Sequence, residues 1–328
     1  NPYPLQYLEL KGYDTLIMST EPVQNENILL VELDEEIVEA YEGYPLPRNL
    51  YSQLIERTAA VPGITVLMPD PDIRGNEYDN TFAFSMNNKP TVIAQAASTQ
   101  SDKISVHVGT SQLGEDPLPW LYEYPGILRT LPILQATAEG LGLITSAPLV
   151  VNVQSNLYPT FALELLRVAI GDPSYQVKTN TEGVMWVRVP SYPLMNTDAN
   201  GRIFLDWNTT FYKQSAAEYL TDPIEAPFVI FGVTAEGIAN PTPTPAGLKY
   251  PHEIQANILH NLINGSAPST PTWAPAGELF AFILGLLLIA VTVSSIYISA
   301  PVIFLLFGSL LFGAWYSFQS SYLVDVSG

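Results

Sequence analysis

The C-terminal part of the chain is a long run of apolar residues without charge. From Leu279 to Ser321 no side chain is charged. This stretch is about twice as long as the roughly 20 residues that one helix needs to cross a bilayer. Pro301 lies near its middle, where a proline would end or kink a helix. The pattern therefore predicts two transmembrane helices, at 279–297 and 301–318, joined by a tight turn near Ser299.

The residues around this predicted hairpin set its boundaries. A proline-rich neck at 271–278 precedes the first helix, and 319–328 begin a further segment. Because two crossings return the chain to the side from which it started, we expect a third span after Gly328. Small residues allow membrane helices to approach closely, and we expect them to line helix contacts at Gly285, Gly308 and Gly313.

Residues 1–270 alternate between short apolar runs and amphipathic stretches. The run Ile28–Leu33 is apolar at nearly every position, which is typical of a strand buried on both faces. The alternation predicts an α/β fold with a mainly parallel sheet flanked by helices. The predicted strands are 28–33, 64–68, 91–96, 143–145, 185–189, 203–205 and 228–231. The predicted helices are 50–60, 76–87, 131–140, 160–170 and 252–264.

One polar, proline-rich segment at 98–126 interrupts this alternation and is expected to form a long loop or insertion. Trp120, Tyr122 and Tyr124 lie in it and could form an interface with another protein. The segment therefore leaves open a second class of function, that of a membrane-anchored structural or assembly protein without a signalling output.

The net charge of the chain excludes some classes of function. The 328 residues include 32 acidic and only 13 basic side chains, for a formal net charge of −19. Such a surface repels phosphate backbones, so nucleic-acid binding is not expected. The acidity is typical of a soluble exposed domain, with cation capture as the alternative. The chain has no cysteine, which excludes disulfides and thiolate chemistry.

Catalytic and metal-binding motifs are missing from the sequence. There is no nucleotide-binding glycine motif and no nucleophile elbow. His252 and Glu253 resemble the start of a zinc-protease helix, but Ala256 replaces the second histidine. His252 and His260 share a helical face without a third ligand. The segment Asp70–Gly75 resembles a calcium loop only in its first residues. We therefore predict no catalytic residue, no metal and no cofactor.

Polar residues follow several predicted strands, and these are the candidate ligand site. Asp34 follows the first strand, Asp70 the second, and Thr234 the last. Ligands of open α/β sheets bind at the carboxyl ends of the strands. Arg48 and Arg74 could supply positive charge nearby. The alternative is that these side chains only cap helices and form salt bridges in loops.

The order of several segments resembles the CHASE2 domain family. Ile28–Glu36, a strand ending in Asp-Glu, is followed by Tyr44–Arg48, in place of the family's Trp-Pro-Trp-Pro-Arg-like segment. Tyr158–Arg167 is similar to the family's central helix, Val229–Gly237 to its glycine-containing strand-turn, and His252–Asn257 to its final helix. One feature departs: the family's Asp-Gly-Val-x-Arg-Arg stretch has no counterpart between Ser146 and Pro148. Either the chain lacks that hairpin or the sequence omits residues there.

The resemblance implies an extracytoplasmic sensory domain of a bacterial receptor, with residues 1–270 in the periplasm and the helices in the inner membrane. It implies a cytoplasmic output domain downstream, most plainly a class III adenylate or guanylate cyclase, with a histidine or serine/threonine kinase as the alternative. It also implies a homodimer and an extracytoplasmic ligand or protein partner.

Overall fold

A central sheet and a separate pair of apolar helices make up most of the described structure. The computed structural model describes residues 22–66, 76–94, 109–111, 138–139, 143–153, 156–172, 174–181, 183–269, 273–292, 296–318 and 322. The strands are β1 Val23–Leu33, β2 Val61–Ile64, β3 Thr91–Ile93, β4 Gly109–Ser111, β5 Ala138–Glu139, β6 Leu143–Ile144, β7 Ser146–Pro148, β8 Val150–Val153, β9 Asn156–Pro159, β10 Gln176–Thr179, β11 Val184–Arg188, β12 Met195–Asn196, β13 Arg202–Phe204, β14 Thr209–Ser215, β15 Phe228–Val233, β16 Thr242–Thr244 and β17 Gly247–Lys249. The helices are α1 Glu35–Ala40, α2 Arg48–Arg57, α3 Asn76–Asn88, α4 Phe161–Ala169, α5 Ala216–Thr221, α6 Pro251–Asn264, α7 Ala274–Thr292 and α8 Ile296–Phe318.

The central sheet has six strands in the order β14-β1-β15-β2-β3-β4. Strands β14, β1, β15, β2 and β3 run parallel to their neighbours, and β4 alone is antiparallel, at the edge. Parallel neighbours need crossover connections, which the helices supply. The structure therefore confirms the predicted mainly parallel α/β sheet flanked by helices.

Strand β1 shows why its sequence is apolar at almost every position. Ile28 and Leu30 belong to a buried cluster that includes residues of α4 and α6. Leu29, Val31 and Leu33 belong to a second buried cluster, with residues of α1, α2, α3 and α5. Alternate side chains of a strand point to opposite faces, so a strand covered by helices on both faces needs apolar residues throughout.

Several predicted elements differ from those in the structure. Strand β1 begins at Val23 rather than Ile28, because its first residues pair with the edge strand β14. The predicted helix 131–140 is wrong at Ala138–Glu139, which form β5 and pair with β6. Ser146–Pro148 form β7, which pairs with β13, so the chain runs continuously as a strand where the family hairpin is missing. Trp120, Tyr122 and Tyr124 lie outside the described residues.

The apolar hairpin consists of α7 and α8, with shifted boundaries. Helix α7 starts at Ala274, inside the predicted neck, with Pro275 in its first turn, where proline is tolerated. Helix α8 starts at Ile296, so Pro301 lies inside it, and the expected break there is wrong. Because Pro301 lies only in the second turn, its missing N–H removes one hydrogen bond near the helix start.

The hairpin exposes apolar side chains rather than burying them. Phe280 and Phe304 are 69% and 78% exposed. A methyl group added at Gly285, Gly308 or Gly313 would meet no other atom within 4 Å, so these glycines do not line the contact between α7 and α8. Within the part of the chain that the structure describes, no helix is both long enough and apolar enough to cross a membrane.

Candidate functional site

Two of the predicted site residues lie side by side at the carboxyl edge of the sheet. Asp34 follows β1 and Thr234 follows β15, and the Thr234 backbone N–H donates to the Leu33 carbonyl at 3.0 Å. Asp34 also caps α1, because its Oδ1 accepts a hydrogen bond from the Ile37 N–H at 3.2 Å. Both side chains remain partly exposed. The edge is therefore open, although Asp34 has a structural role as well.

Of the other predicted residues of this site, the structure describes only Arg48. Arg48 starts α2, but its side chain is 1% exposed and forms a buried ion pair with Asp79 of α3. A guanidinium held in this way joins α2 to α3, so the structure gives Arg48 a role in packing, and its predicted part in ligand binding stays a prediction. Asp70 and Arg74 lie outside the described residues.

The structure also contains a charged cluster that we did not predict. It lies between the central sheet and the start of α6. Lys213 of β14 places its Nζ 2.8 Å from Glu32 Oε1 of β1 and 3.1 Å from Glu253 Oε1 of α6. Lys249 adds a second cation 3.5 Å from Glu253 Oε1. The cluster therefore joins two strands of the central sheet to the N-terminal turn of α6.

The pKa values in the cluster follow from these contacts. Burial alone would raise the pKa of Glu253, but the Tyr250 N–H bonded to Oε2 at 2.7 Å and the ammonium groups of Lys213 and Lys249 lower it. Burial likewise opposes the charge of Lys213, but Glu32 and Glu253 raise its pKa overall. Each charge thus depends on its partners for stability.

His252 lies at the centre of this cluster and is almost fully buried. Its ring stacks on Tyr250, with centroids 6.0 Å apart and planes 20° apart. Burial lowers the pKa of His252 to about 4. Among the described residues neither ring nitrogen has a hydrogen-bond partner, and the nearest carboxylate oxygen, Glu32 Oε1, lies 3.9 Å from Nε2. The lowered pKa leaves the imidazole neutral at neutral pH.

Gly232 of β15 makes room for this ring. A Cβ at this position would overlap the Cγ and Nδ1 atoms of His252. Glycine in a strand interior often marks a close approach of another group. The packing of the imidazole directly against the β15 backbone explains why β15 carries a glycine where its neighbours are large and apolar.

His260, two turns further along α6, is in a different environment. Its Nδ1 lies 2.7 Å from the Asn25 side-chain nitrogen of β1. Burial lowers its pKa as well. Among the described residues, no group of three or more His, Asp or Glu side chains is placed to hold a metal ion, and the histidine pair of α6 has no third ligand there.

The sequence contained weak signals of this cluster. Glu32 is the one charge in the otherwise apolar run Ile28–Leu33, and a charge in a strand buried on both faces needs a partner. The position of Lys213 could not be predicted, because β14 is mostly polar and its pairing with β1 spans a long sequence separation. Only the fold brings residues 32, 213 and 253 together.

A small cavity lies at the junction between the α/β domain and the hairpin. Its volume is about 250 Å³, and its lining includes Leu194, Asn196, Gly265, Ser269 and Tyr322. Ser269 precedes α7, Tyr322 follows α8, and the two residues form a parallel β-bridge. Both ends of the hairpin therefore meet next to the C-terminal end of α6.

Comparison with known proteins identifies the fold family. The family model described as the CHASE2 domain matches residues 2–292, which is most of the chain. The searches of curated proteins and of solved structures returned no match. The match includes the strands that carry Glu32 and Lys213 and the helix that carries His252. The chain therefore belongs to the CHASE2 domain family.

Proposed function

We propose that this chain is the extracytoplasmic sensor of a bacterial transmembrane receptor and that its apolar hairpin lies in the inner membrane. CHASE2 domains are extracellular sensory domains, and membership of that family is the observation that carries the proposal. The acidic α/β domain, residues 1–270, would face the periplasm. The hairpin would connect it to a cytoplasmic output domain.

The surface of the hairpin supports its place in lipid. Leu279, Phe280, Phe282, Phe304 and Leu305 are all exposed, and each is at least 60% accessible. Soluble proteins rarely expose large contiguous apolar patches. The uncharged stretch 279–321 is longer than either described helix, because it also includes the residues between and after them. A bilayer would cover this surface at no cost in exposed charge.

Contacts at the neck suggest how a signal would leave the domain. Helix α6 ends at Gly265, which packs against Pro193, so that a Cβ at Gly265 would lie 2.8 Å from the proline Cβ. Six residues later the sequence reaches the neck at 271–278. A shift of α6 would therefore change the ends of the hairpin, and a ligand that favours one position would bias the receptor between two states.

For the output we propose a class III adenylate or guanylate cyclase, with a histidine or serine/threonine kinase as the second candidate. Both kinds of output domain work as dimers, so we propose a homodimer in which Gly285, Gly308 and Gly313, open on the hairpin surface, contact helices of another copy or a third span. The ligand or protein partner would bind at the carboxyl edge near Asp34 and Thr234.

The absence of cysteine makes a direct test of this topology possible. Single cysteines would replace Lys178, exposed in the α/β domain, and Phe304, exposed on α8. In cells with a permeabilised outer membrane, a membrane-impermeant maleimide should label K178C and leave F304C unlabelled. Both should react after denaturation in SDS. Equal labelling of the two variants in intact membranes would contradict the proposal.

A further inference from the structure

The buried imidazole of His252 lies beside the charged cluster formed by Glu32, Lys213, Lys249 and Glu253. Its position suggests a role beyond packing. Buried polar atoms are almost always hydrogen-bonded, and an orphaned one needs an explanation. No described residue is a hydrogen-bond partner of either ring nitrogen, while the Glu32 carboxylate lies 3.9 Å from Nε2. The cluster contains acceptors, but the neutral ring does not use them.

The groups that face His252 come from each element packed against it. Strand β1 contributes the carboxylate of Glu32, and β14 contributes the ammonium of Lys213. Strand β15 contributes only Gly232, which carries no charge. On its own helix the neighbour is Glu253, which also holds Lys249. Two carboxylates thus face the ring, and both are occupied by lysines.

Lys213 and a protonated His252 would compete for one carboxylate oxygen of Glu32. Glu32 Oε1 accepts from Lys213 Nζ at 2.8 Å and lies 3.9 Å from His252 Nε2. A neutral imidazole has one N–H donor and no charge, whereas an imidazolium is a cation with two N–H donors and attracts this carboxylate more strongly. Lys213 is 42% exposed and lies on the edge strand β14, so its ammonium can move into solvent.

We propose that His252 is a proton-binding site, in which protonation draws Glu32 to the ring, displaces Lys213 and loosens the start of α6 from the sheet. The proton adds to one ring nitrogen, and the ion pair Lys213–Glu32 is exchanged for His252–Glu32. This inference rests on the proposed function in one respect: it names the proton as the signal that the sensor would receive. The exchange itself does not depend on where the hairpin lies.

We expect His252 to titrate at a pH well below that of an ordinary histidine, with a midpoint that depends on both Glu32 and Lys213. The full-length chain in detergent, labelled with ¹³C at the imidazole Cε1, should show its three histidines, His107, His252 and His260, as separate signals. The signal missing from H252L should titrate near pH 4. K213M removes a repelling cation and should raise that midpoint by roughly half a unit to one unit. E32Q removes the acceptor and should lower it.

Hydrogen exchange then tests the consequence for α6. Amide exchange in Pro251–Asn264 should speed up as His252 is protonated, and this acceleration should be absent in H252L. K213R, which keeps the cation, is the matched control and should leave the midpoint nearly unchanged. A His252 signal that titrates near 6.5, or that ignores both K213M and E32Q, would overturn the inference. So would protonation without any change in exchange along α6. If these titration and exchange tests fail while the cysteine variants are labelled as expected, the proton-binding inference falls and the proposed receptor topology stands.

Discussion

At the scale of single residues, the described domain is defined by a few buried polar groups. The ion pair Arg48–Asp79 joins α2 to α3 inside the core. Lys213 joins β14 to β1 and α6, and His252 lies between Gly232 and Tyr250 without any hydrogen bond. Buried charges are stable only with partners, so substitutions at these positions give the clearest tests of the packing.

Acid should weaken the fold through His252. The folded pKa of about 4 lies below the ordinary 6.5, so the unfolded state binds the proton first. This part of the stability is complete above pH 6.5 and is lost as the pH falls towards 4. It amounts to roughly 3 kcal/mol, given about 1.4 kcal/mol per pKa unit. Chemical denaturation of the full chain at several pH values measures it.

H252L should remove most of that pH dependence between 6.5 and 4. His260 also has a lowered pKa, and so an Asn substitution at His260 is the matched control. H260N should keep the larger share of the dependence. Equal slopes for the wild type and H252L would show that His252 is not the group that titrates.

Substitution of Gly232 by alanine should cost about 2–3 kcal/mol. The new methyl group would overlap the His252 ring, and overpacking of a rigid site forces neighbouring groups to move. The double variant G232A/H252A should recover part of this loss, because the ring is gone. Thermal unfolding of the four proteins completes the cycle, and strictly additive effects would exclude a direct contact between the two positions.

At the scale of elements, the sequence predicted what local patterns and end signals determine. Strand Ile28–Leu33 was predictable because both of its faces are covered, and the helix Pro251–Asn264 because Gly265 ends it. The edge strand β14 was not, because its sequence is largely polar and its place depends on a partner far away in the chain. Pro301 misled the placement of α8, because the helix continues through this proline at the cost of one hydrogen bond in its second turn.

The candidate site was likewise predictable only in part. Asp34 and Thr234 came together as expected, because neighbouring parallel strands end at one edge. The pairing of Arg48 with Asp79 could not be predicted, because no sequence pattern connects the two residues. The cluster around His252 needed three distant segments, and so tertiary structure alone could reveal it.

Gly265 should matter more than other glycines at helix ends. Its φ of 65° lies in the left-handed region, and a Cβ there would also press on Pro193. G265A should therefore cost about 2 kcal/mol, combining left-handed strain with a steric contact. Gly171 after α4 has a similar φ of +67° but open space around it. G171A, measured by the same thermal unfolding, should cost only about 1 kcal/mol. Equal losses would show that Pro193 does not hold the end of α6.

At the scale of the whole molecule, an acidic sensory domain is joined to an apolar hairpin. The CHASE2 match covers the domain and the whole of α7, and Ser269 and Tyr322 bring both ends of the hairpin to the end of α6. The charge is distributed accordingly: the net charge of −19 belongs to the rest of the chain, and none to 279–321. This division is what the proposed membrane anchor requires.

The most direct test uses the tryptophan of α8. Trp315 is the one tryptophan within 279–321, and Trp186 and Trp207 lie in the α/β domain. The full chain would be reconstituted in vesicles that contain brominated phospholipids, which quench fluorescence only at close range. The account predicts marked quenching that is largely lost in W315F and retained in W207F. Quenching that is absent, or that is unchanged in W315F, would contradict a hairpin in lipid.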